Sequence, residues 1–445
     1  MDNNNRSVTA EASTATHLSH GDVVGSAWTL SACNPNSRIL ILFFEGWLGV
    51  APTVINAAVC LVERGYKVDI VTRSRPEAWA ETPDLGPRVR VLATPTVARA
   101  TSLRRKPTGG LRHKRLFAIA NKVIARAIQP IEILIDFLLF ARAAQGLVDD
   151  DLSAVIGIDT HGTVAAGLIR KRAPIPIIYW SLELSFLREI RHPVAKLFKM
   201  AERIFSKRAK LVIVQDADRG ALLCAENRLS PSKLAYVPNA PMGRPLVERS
   251  TLLRSRLGIS EGSRVVLHAG MISDGVLARE IASSIQKWPE DFQAIFHERQ
   301  ARDPSEPYLR TIAELGGPRL HLSLQPLRYE EIDHVFGGAD IGLVFYNPDY
   351  GANYTAIAYA SGKLAHHLRH GTPIVCNALP SLAKLVEIWG CGIAVSHVSE
   401  IGWALGMIVR DEHGFRRRAL RCYERCYDFR QFFEKAMFGG AMNGM

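Results

Sequence analysis

Short apolar runs recur along the chain, each closed by glycine or polar residues. This is the pattern of strands buried on both faces of a parallel sheet. The first run is 38–44 (RILILFF). Gly46 and Gly49 follow it, Pro52 suits a first helical turn, and Ile55, Ala58, Val59 and Val62 then recur at helical spacing as far as Gly65. Residues 67–72 (KVDIVT) predict the next strand, which completes a strand–helix–strand unit and implies a parallel sheet. Further strands are predicted at 89–93, 154–158, 175–179 and 210–214. Residues 237–241 (VPNAP) read as a linker. A second alternation then predicts strands at 264–269, 293–297, 319–324, 340–345, 373–376 and 392–395, and the stretch 415–437 is helical in pattern and rich in aromatics.

The expected fold class is therefore α/β, with two facing Rossmann-like, doubly wound domains and a C-terminal helix. The expected segments are a disordered or loosely attached tail (1–37), an N-terminal domain (38–240), a C-terminal domain (241–414) and a helical tail (415–445). The tail is polar and lacks a charged region followed by an apolar core, so it does not read as a secretory leader. Ligands of such sheets bind beyond the carboxyl ends of the strands, here in the cleft between two domains. Residues just after strands are thus the candidates for chemistry.

Charge changes the picture more than composition does. Apolar residues make up 47% and charged residues 22%, as in ordinary globular chains, but 55 Lys and Arg against 43 Asp and Glu leave a formal charge of +12. That balance favours an anionic partner. Between 99 and 128 lie nine Lys and Arg with no acid, and Leu116, Ile119, Ala120, Val123 and Ala127 form an apolar stripe at helical spacing. The segment reads as a basic amphipathic helix on an anionic membrane surface, or else as a solvated face beside a core helix. No motif for nucleic acid accompanies the charge, so no nucleic-acid partner is expected. The seven cysteines are scattered without zinc-ligand spacing, which favours a reducing, cytoplasmic setting. No run approaches the length of an uninterrupted membrane-spanning helix.

The segment 361–376 (SGKLAHHLRHGTPIVC) carries the most chemistry. Ser361 suits an N-cap, Gly362, Lys363 and Leu364 open the helix, and Gly371 suits its end. A helix N-terminus with free N–H groups is an anion site, and a lysine in that turn adds a positive charge. Lys363, His366, His367 and His370 fall on one helical face. The other reading has the histidines favouring the helix C-terminal dipole, with Lys363 solvated.

Here the chain resembles the family-4-like GT-B glycosyltransferases. The run Ser-x-Lys-Leu followed by Gly-x-Pro-Ile-Val is similar to their nucleotide-sugar region. The loop 45–49 (EGWLG), the segment 210–216 with 237–239, and the strand 264–269 followed by Gly270 agree in order and spacing. The resemblance covers roughly residues 38–430. It implies an acceptor on the N-terminal domain, a glycan or a lipid-linked molecule. It implies a nucleoside diphosphate sugar as co-substrate on the C-terminal domain, with no metal and no other cofactor. It further implies retention of configuration and a role in cell-envelope or exopolysaccharide synthesis at the inner face of the cytoplasmic membrane.

The resemblance also nominates residues. Ser361 and Lys363 would hold the diphosphate, with Gly362 and Leu364 in the same turn. Gly46 and Gly49 would let the backbone approach the donor. Gly270 follows the first donor-domain strand, and Arg279 would substitute for the basic residue usual after it. His297 and Glu298 stand where a glycine-rich turn is usual, and Tyr346, Asn353 and Tyr354 would meet a base or sugar. His161 would contact the transferred sugar. Asp159 reads as a helix cap or a site acid, and Glu183 as a surface carboxylate or a base toward acceptor hydroxyls. Two glutamates common in the family are replaced, by Ala358 and by His366, which was expected near the nucleoside or sugar. That departure keeps a catalytically degenerate binding or scaffold protein in view. A nucleotide-sugar epimerase of the same fold is the further alternative.

Overall fold

The apolar runs become strands because each is hydrophobic on both faces and can be buried only between helical layers. The computed structural model describes residues 28–30, 37–74, 82–97, 131–169 and 175–439. The N-terminal sheet is built from β1 (Arg38–Phe43), β2 (Lys67–Arg73), β3 (Val89–Thr94), β4 (Leu152–Ile158), β5 (Ile177–Trp180), β6 (Leu211–Val214) and β7 (Leu234–Tyr236). Its helices are α1 (Pro52–Glu63), α2 (131–146), α3 (Asp159–Leu168), α4 (Pro193–Phe205) and α5 (Ala217–Asn227).

The second sheet contains β8 (Arg264–Ala269), β9 (Phe292–His297), β10 (Leu320–Ser323), β11 (Ile341–Val344), β12 (Ile374–Asn377) and β13 (Gly392–Val395). Around it lie α6 (Leu252–Leu257), α7 (Ala278–Ser284), α8 (Pro307–Gly316), α9 (Ile332–Gly337), α10 (Ala352–Thr355), α11 (Gly362–Arg369) and α12 (Pro380–Trp389). Three further helices end the described chain: α13 (Ile401–Arg410), α14 (Glu412–Cys426) and α15 (Phe429–Phe438).

Both sheets are parallel throughout, in the orders β3-β2-β1-β4-β5-β6-β7 and β10-β9-β8-β11-β12-β13. The order reverses between β1 and β4 and between β8 and β11. These switch points leave crevices at the strand ends, one on each sheet. The two-sheet α/β architecture is the expected one. The short edge strand β7 falls just before the segment read as a linker, and Pro231 in the preceding turn obscures it.

The chain returns to its beginning at the end. Helix α15 packs on α1, the Trp180 indole stacks on Phe429 and Phe433, and Arg64 and Arg430 pair with Glu434 and Glu63. One apolar cluster runs continuously from the N-terminal sheet through these helices into the C-terminal sheet. Of the segment 1–37 the described residues are 28–30 and 37. Leu30 is fully buried and its carbonyl accepts from Tyr66. The basic stretch 99–128 lies outside the described residues, within which no helix is long and apolar enough to cross a membrane.

Candidate functional site

On the N-terminal sheet the switch point is closed by the loops after β1 and β4. Helix α3 starts directly after β4 because two glycines allow it. A Cβ on Gly162 would stand 2.2 Å from the Leu42 carbonyl oxygen, and one on Gly157 would stand 2.7 Å from the Gly162 carbonyl oxygen. Asp159 takes the left-handed conformation, φ 51°, which Asp tolerates better than most residues. Its carboxylate accepts from the backbone N–H groups of Leu182 (2.7 Å) and Glu183 (2.9 Å), so it ties the β4 loop to the β5 loop rather than capping its own helix. Burial raises its pKa well above the usual carboxylate range, against the pull of those N–H groups.

His161 lies one turn into α3. Its ring stands 4.5 Å from Phe44 and 4.7 Å from Phe198, with Phe137 at 6.3 Å, and Nδ1 is 3.8 Å from a carboxylate oxygen of Glu45. A quarter of the side chain remains exposed, and burial lowers its pKa. This is a mostly neutral imidazole held in an aromatic pocket beside a carboxylate. Gly46, next in the same loop, adopts φ 81° and turns the chain away from β1. Gly49 sits in the short turn that leads into α1.

On the C-terminal sheet the crevice lies between the loops after β8, β9 and β11 and the start of α11. Gly270 adopts φ 112°, and a Cβ there would meet nothing within 4 Å. Glu298 is fully buried. It accepts from the backbone N–H groups of Ile272 and Arg299, and it pairs with Arg302, which donates to the Ile272 carbonyl. The carboxylate thus shapes the β8 loop. His297 is buried beside Ser323 (2.9 Å), its pKa lowered to about 4 by burial and by nearby Arg256. Arg279 stacks over Tyr308 at the rim, 3.7 Å from Asp274.

Helix α11 aims its N-terminus at this crevice. The Ser361 hydroxyl accepts from the Leu364 N–H and shares a 2.7 Å hydrogen bond with the Tyr346 hydroxyl. A Cβ on Gly362 would meet nothing within 4 Å, so the first turn faces open space. Leu364 points into the core. The Lys363 ammonium sits 4.4 Å above the Tyr346 ring, and desolvation lowers its pKa to about 7. Tyr354 meets Tyr346 edge-on and stacks on Tyr350. The Arg299 guanidinium lies near enough to both Tyr346 and Tyr354 to oppose the rise that burial causes in their pKa values. Arg299 belongs to the polar run His297-Glu298-Arg299 that the sequence offers for a base or phosphates, whereas Arg302, five residues past the end of β9, was not singled out.

The histidine stripe of α11 departs from expectation. His366 stacks on Phe336 at 4.7 Å, and His370 bonds Asp333 at 3.2 Å. The His367 ring occupies the space that Gly342 leaves open. The stripe does exist, but the helix rises about 1.5 Å per residue away from the crevice. Only Lys363 in its first turn reaches the opening, and His366 lies behind it in the core. The other replaced glutamate position, Ala358, is also buried, its carbonyl accepting from Tyr427.

The two crevices are bridged. Asn353 accepts at Oδ1 from the Leu184 N–H and from Arg219, and donates from Nδ2 to Glu183. Glu183 is otherwise exposed, at the cleft edge. His161, Asp159 and Glu183 thus gather on one side, and Lys363, Ser361, Gly270, Tyr346 and Tyr354 on the other. Asn353 stands between them.

Residues 49–240 match the family model of a glycosyl transferase 4-like domain. No curated protein sequence matches the chain. Among solved structures it is similar to sucrose-phosphate synthase from Thermosynechococcus elongatus, at 15% identity and a TM-score of 0.62, covering 90% of this chain and 97% of that one. HepE from Anabaena, in complex with UDP and glucose, aligns at 13% identity and TM-score 0.61 over 90% and 98% of the two chains. WaaG, a glycosyltransferase involved in lipopolysaccharide biosynthesis, aligns at 13% and 0.58 over 90% and 100%. Residues 49–240 thus carry a glycosyl transferase 4-like domain, and the two facing parallel sheets share the GT-B fold of these solved structures.

Proposed function

We propose that the protein transfers a sugar from a nucleoside diphosphate sugar, bound at α11 and Gly270, to a glycan or lipid-linked acceptor beside His161. The transfer retains configuration and needs no metal. The observation that carries this reading is Lys363: a desolvated ammonium in the first turn of a helix whose N-terminus faces open space. Such a group gains most from a bound anion, and helix N–H groups add to it. As the glycosidic bond breaks, negative charge grows on the leaving diphosphate, where Lys363 and Arg299 stabilise it, and the sugar carbon becomes oxocarbenium-like. On the other side His161 orients the sugar, Asp159 holds the Glu183 loop, and Glu183 receives the acceptor proton. The HepE complexes with UDP make uridine diphosphate the first nucleotide to test. The WaaG likeness makes an envelope glycan the first acceptor class.

A second reading has a specific observation in its favour. Both family glutamates are absent, and Ala358 and His366 fill their places with packing. That suits a GT-B protein that binds a nucleotide sugar, or scaffolds, without transferring. A thermal-shift panel of UDP, GDP, ADP, CDP and their sugar conjugates separates the readings, because a ligand of the folded state raises stability by mass action. A selective shift lost in Lys363→Ala, together with release of free nucleotide on adding acceptor, supports transfer. A shift without turnover supports the degenerate reading, and no shift at all removes the donor site.

A further inference from the structure

Glu183 is held from two sides, and the second hold comes from the other domain. Its backbone N–H donates to Asp159 and its carbonyl accepts from the Ser181 hydroxyl, both within the N-terminal domain. Its exposed side chain has a single hydrogen-bond donor among the described residues, the Asn353 amide, at 2.5 Å. Asn353 belongs to α10 of the C-terminal domain. It reaches this far because the chain turns at Gly351 with φ 86°, where a Cβ would stand 3.1 Å from the Glu189 carboxylate oxygens. A left-handed turn of this kind favours glycine, and it lays α10 against the loop after β5.

The amide has no freedom to face otherwise. Its oxygen accepts from the Leu184 N–H (2.9 Å) and from the Arg219 guanidinium (2.9 Å). Arg219 is fully buried and also holds the Asn353 carbonyl. Reversing the amide would set its NH2 group against two donors. With the oxygen fixed by this network, the nitrogen points at Glu183. An aspartate at this position would satisfy Leu184 and Arg219 equally well, but it would oppose two negative charges. A carboxamide accepts from both donors and still gives an N–H to the carboxylate. The residue type at 353 therefore answers to Glu183 and not to the domain contact alone. Tyr354, the next residue, meets Tyr346 at the C-terminal crevice, whereas the polar atoms of Asn353 are engaged toward the N-terminal domain.

We propose that Asn353 is a positioning residue: from the C-terminal domain it orients the Glu183 carboxylate toward the acceptor. The inference rests on the reading of Glu183 as the group that receives the acceptor proton. It makes that step depend on both domains, because the carboxylate is anchored in one and aimed by the other. The other titratable groups that face this carboxylate are Asp159 from α3, Arg219 from α5 and, across the cleft, Tyr346 and Tyr354.

The test is a double-mutant cycle of Asn353→Asp with Glu183→Gln, read first as melting temperature against pH and then as turnover. Asn353→Asp keeps an acceptor for Leu184 and Arg219, so the fold is retained. Its stronger pairing with Arg219 is common to both backgrounds and cancels in the cycle. At about pH 8, Asn353→Asp is expected to cost more melting temperature in the wild-type background than in the Glu183→Gln background. Like charges raise the proton affinity of the folded pair, so this difference is full above neutral pH and fades as pH falls toward about 5. In a transfer assay Asn353→Asp and Asn353→Ala are each expected to lose at least about tenfold in kcat. The donor KM and the melting shift given by UDP stay at wild-type values. Additive melting temperatures overturn the proposal, because the two side chains then do not meet in solution. Wild-type kcat in both Asn353 variants overturns it as well. So does a lost UDP shift, which would return Asn353 to the donor. A wild type that transfers nothing overturns the reading of Glu183, and this role with it, while the cycle still reports the contact.

Discussion

Arg219 of the N-terminal domain and Asn353 of the C-terminal domain are joined twice. The Arg219 guanidinium donates to the Asn353 side-chain oxygen (2.9 Å) and to its backbone carbonyl (3.2 Å). The same guanidinium reaches the carbonyls of Ala356 and Leu182. It is fully buried, so each of these oxygens loses a hydrogen bond if the side chain is removed, and among the described residues only the Asn353 side-chain oxygen keeps another, from the Leu184 N–H. Arg219→Met is expected to lower stability by about 1–3 kcal/mol, the range for a buried polar group left without its partner. A urea titration checks this. Unchanged stability would mean that the two domains are held by other contacts alone.

With a nucleoside diphosphate bound at α11 as proposed, Lys363 would link that binding to pH. Its pKa of about 7 means that the free protein above neutral pH holds a largely neutral amine, while a diphosphate favours the ammonium. Binding above pH 7 therefore takes up a proton. Affinity for UDP is expected to fall as pH rises from 7 to 9, by up to about tenfold per unit. Lys363→Ala should bind weakly and without that slope, and its turnover should drop at least about tenfold, or 1.4 kcal/mol. Folding runs the other way. Between the folded value near 7 and the ordinary lysine value of 10.5 the unfolded chain binds more protons, so this group makes the free protein more stable as pH rises through that window. Calorimetry in buffers of different ionisation heat, together with melting curves against pH, reads both signs.

What the chain revealed in advance is what periodicity encodes. The apolar runs marked the strands because a strand between two helical layers needs no polar face. Strand β7 escaped notice because Leu234–Tyr236 is too short to form a run. The Ser361–Lys363 turn was legible because a cap and a basic first turn are local signals. The position of His366 was not. Four side chains on one helical face say nothing about which end of that face meets the ligand, and Phe336 decides it. Arg219 was equally silent, since an arginine on a helix reads as solvated until its distant carbonyl partners are known.

Glu202 holds the start of α3, beside His161, together from behind. It accepts from Thr160 (2.5 Å), Tyr179 (2.8 Å), Lys199 (2.7 Å) and Asn227 (2.8 Å), with 1% of its surface exposed. Thr160 stands between Asp159 and His161, so the hub fixes the start of α3. Removing one partner of a buried ion pair leaves the other charge uncompensated. Glu202→Gln alone is expected to cost about 3–5 kcal/mol, and Lys199→Met added to it should recover part of that loss. Denaturant unfolding of the two single variants and the double variant gives the coupling. Additive losses would show that the pair does not act as a unit.

The C-terminal helix is the last strap. Phe433 and Phe429 stack on Trp180, the fully buried end of β5, at 5.7 and 6.2 Å between centroids. Trp180 immediately precedes the loop that carries Glu183. Phe433→Ala opens a cavity in this stack and is expected to destabilise the protein by about 3–5 kcal/mol. The loss should appear first in the N-terminal domain, because α15 packs there on α1 and β7 although it comes from the far end of the chain. Tryptophan fluorescence and hydrogen exchange follow the two domains separately. Early exposure of β5 with the C-terminal sheet still protected is the expected order. Simultaneous loss of both would mean that α15 serves the whole molecule rather than tethering its end to its beginning.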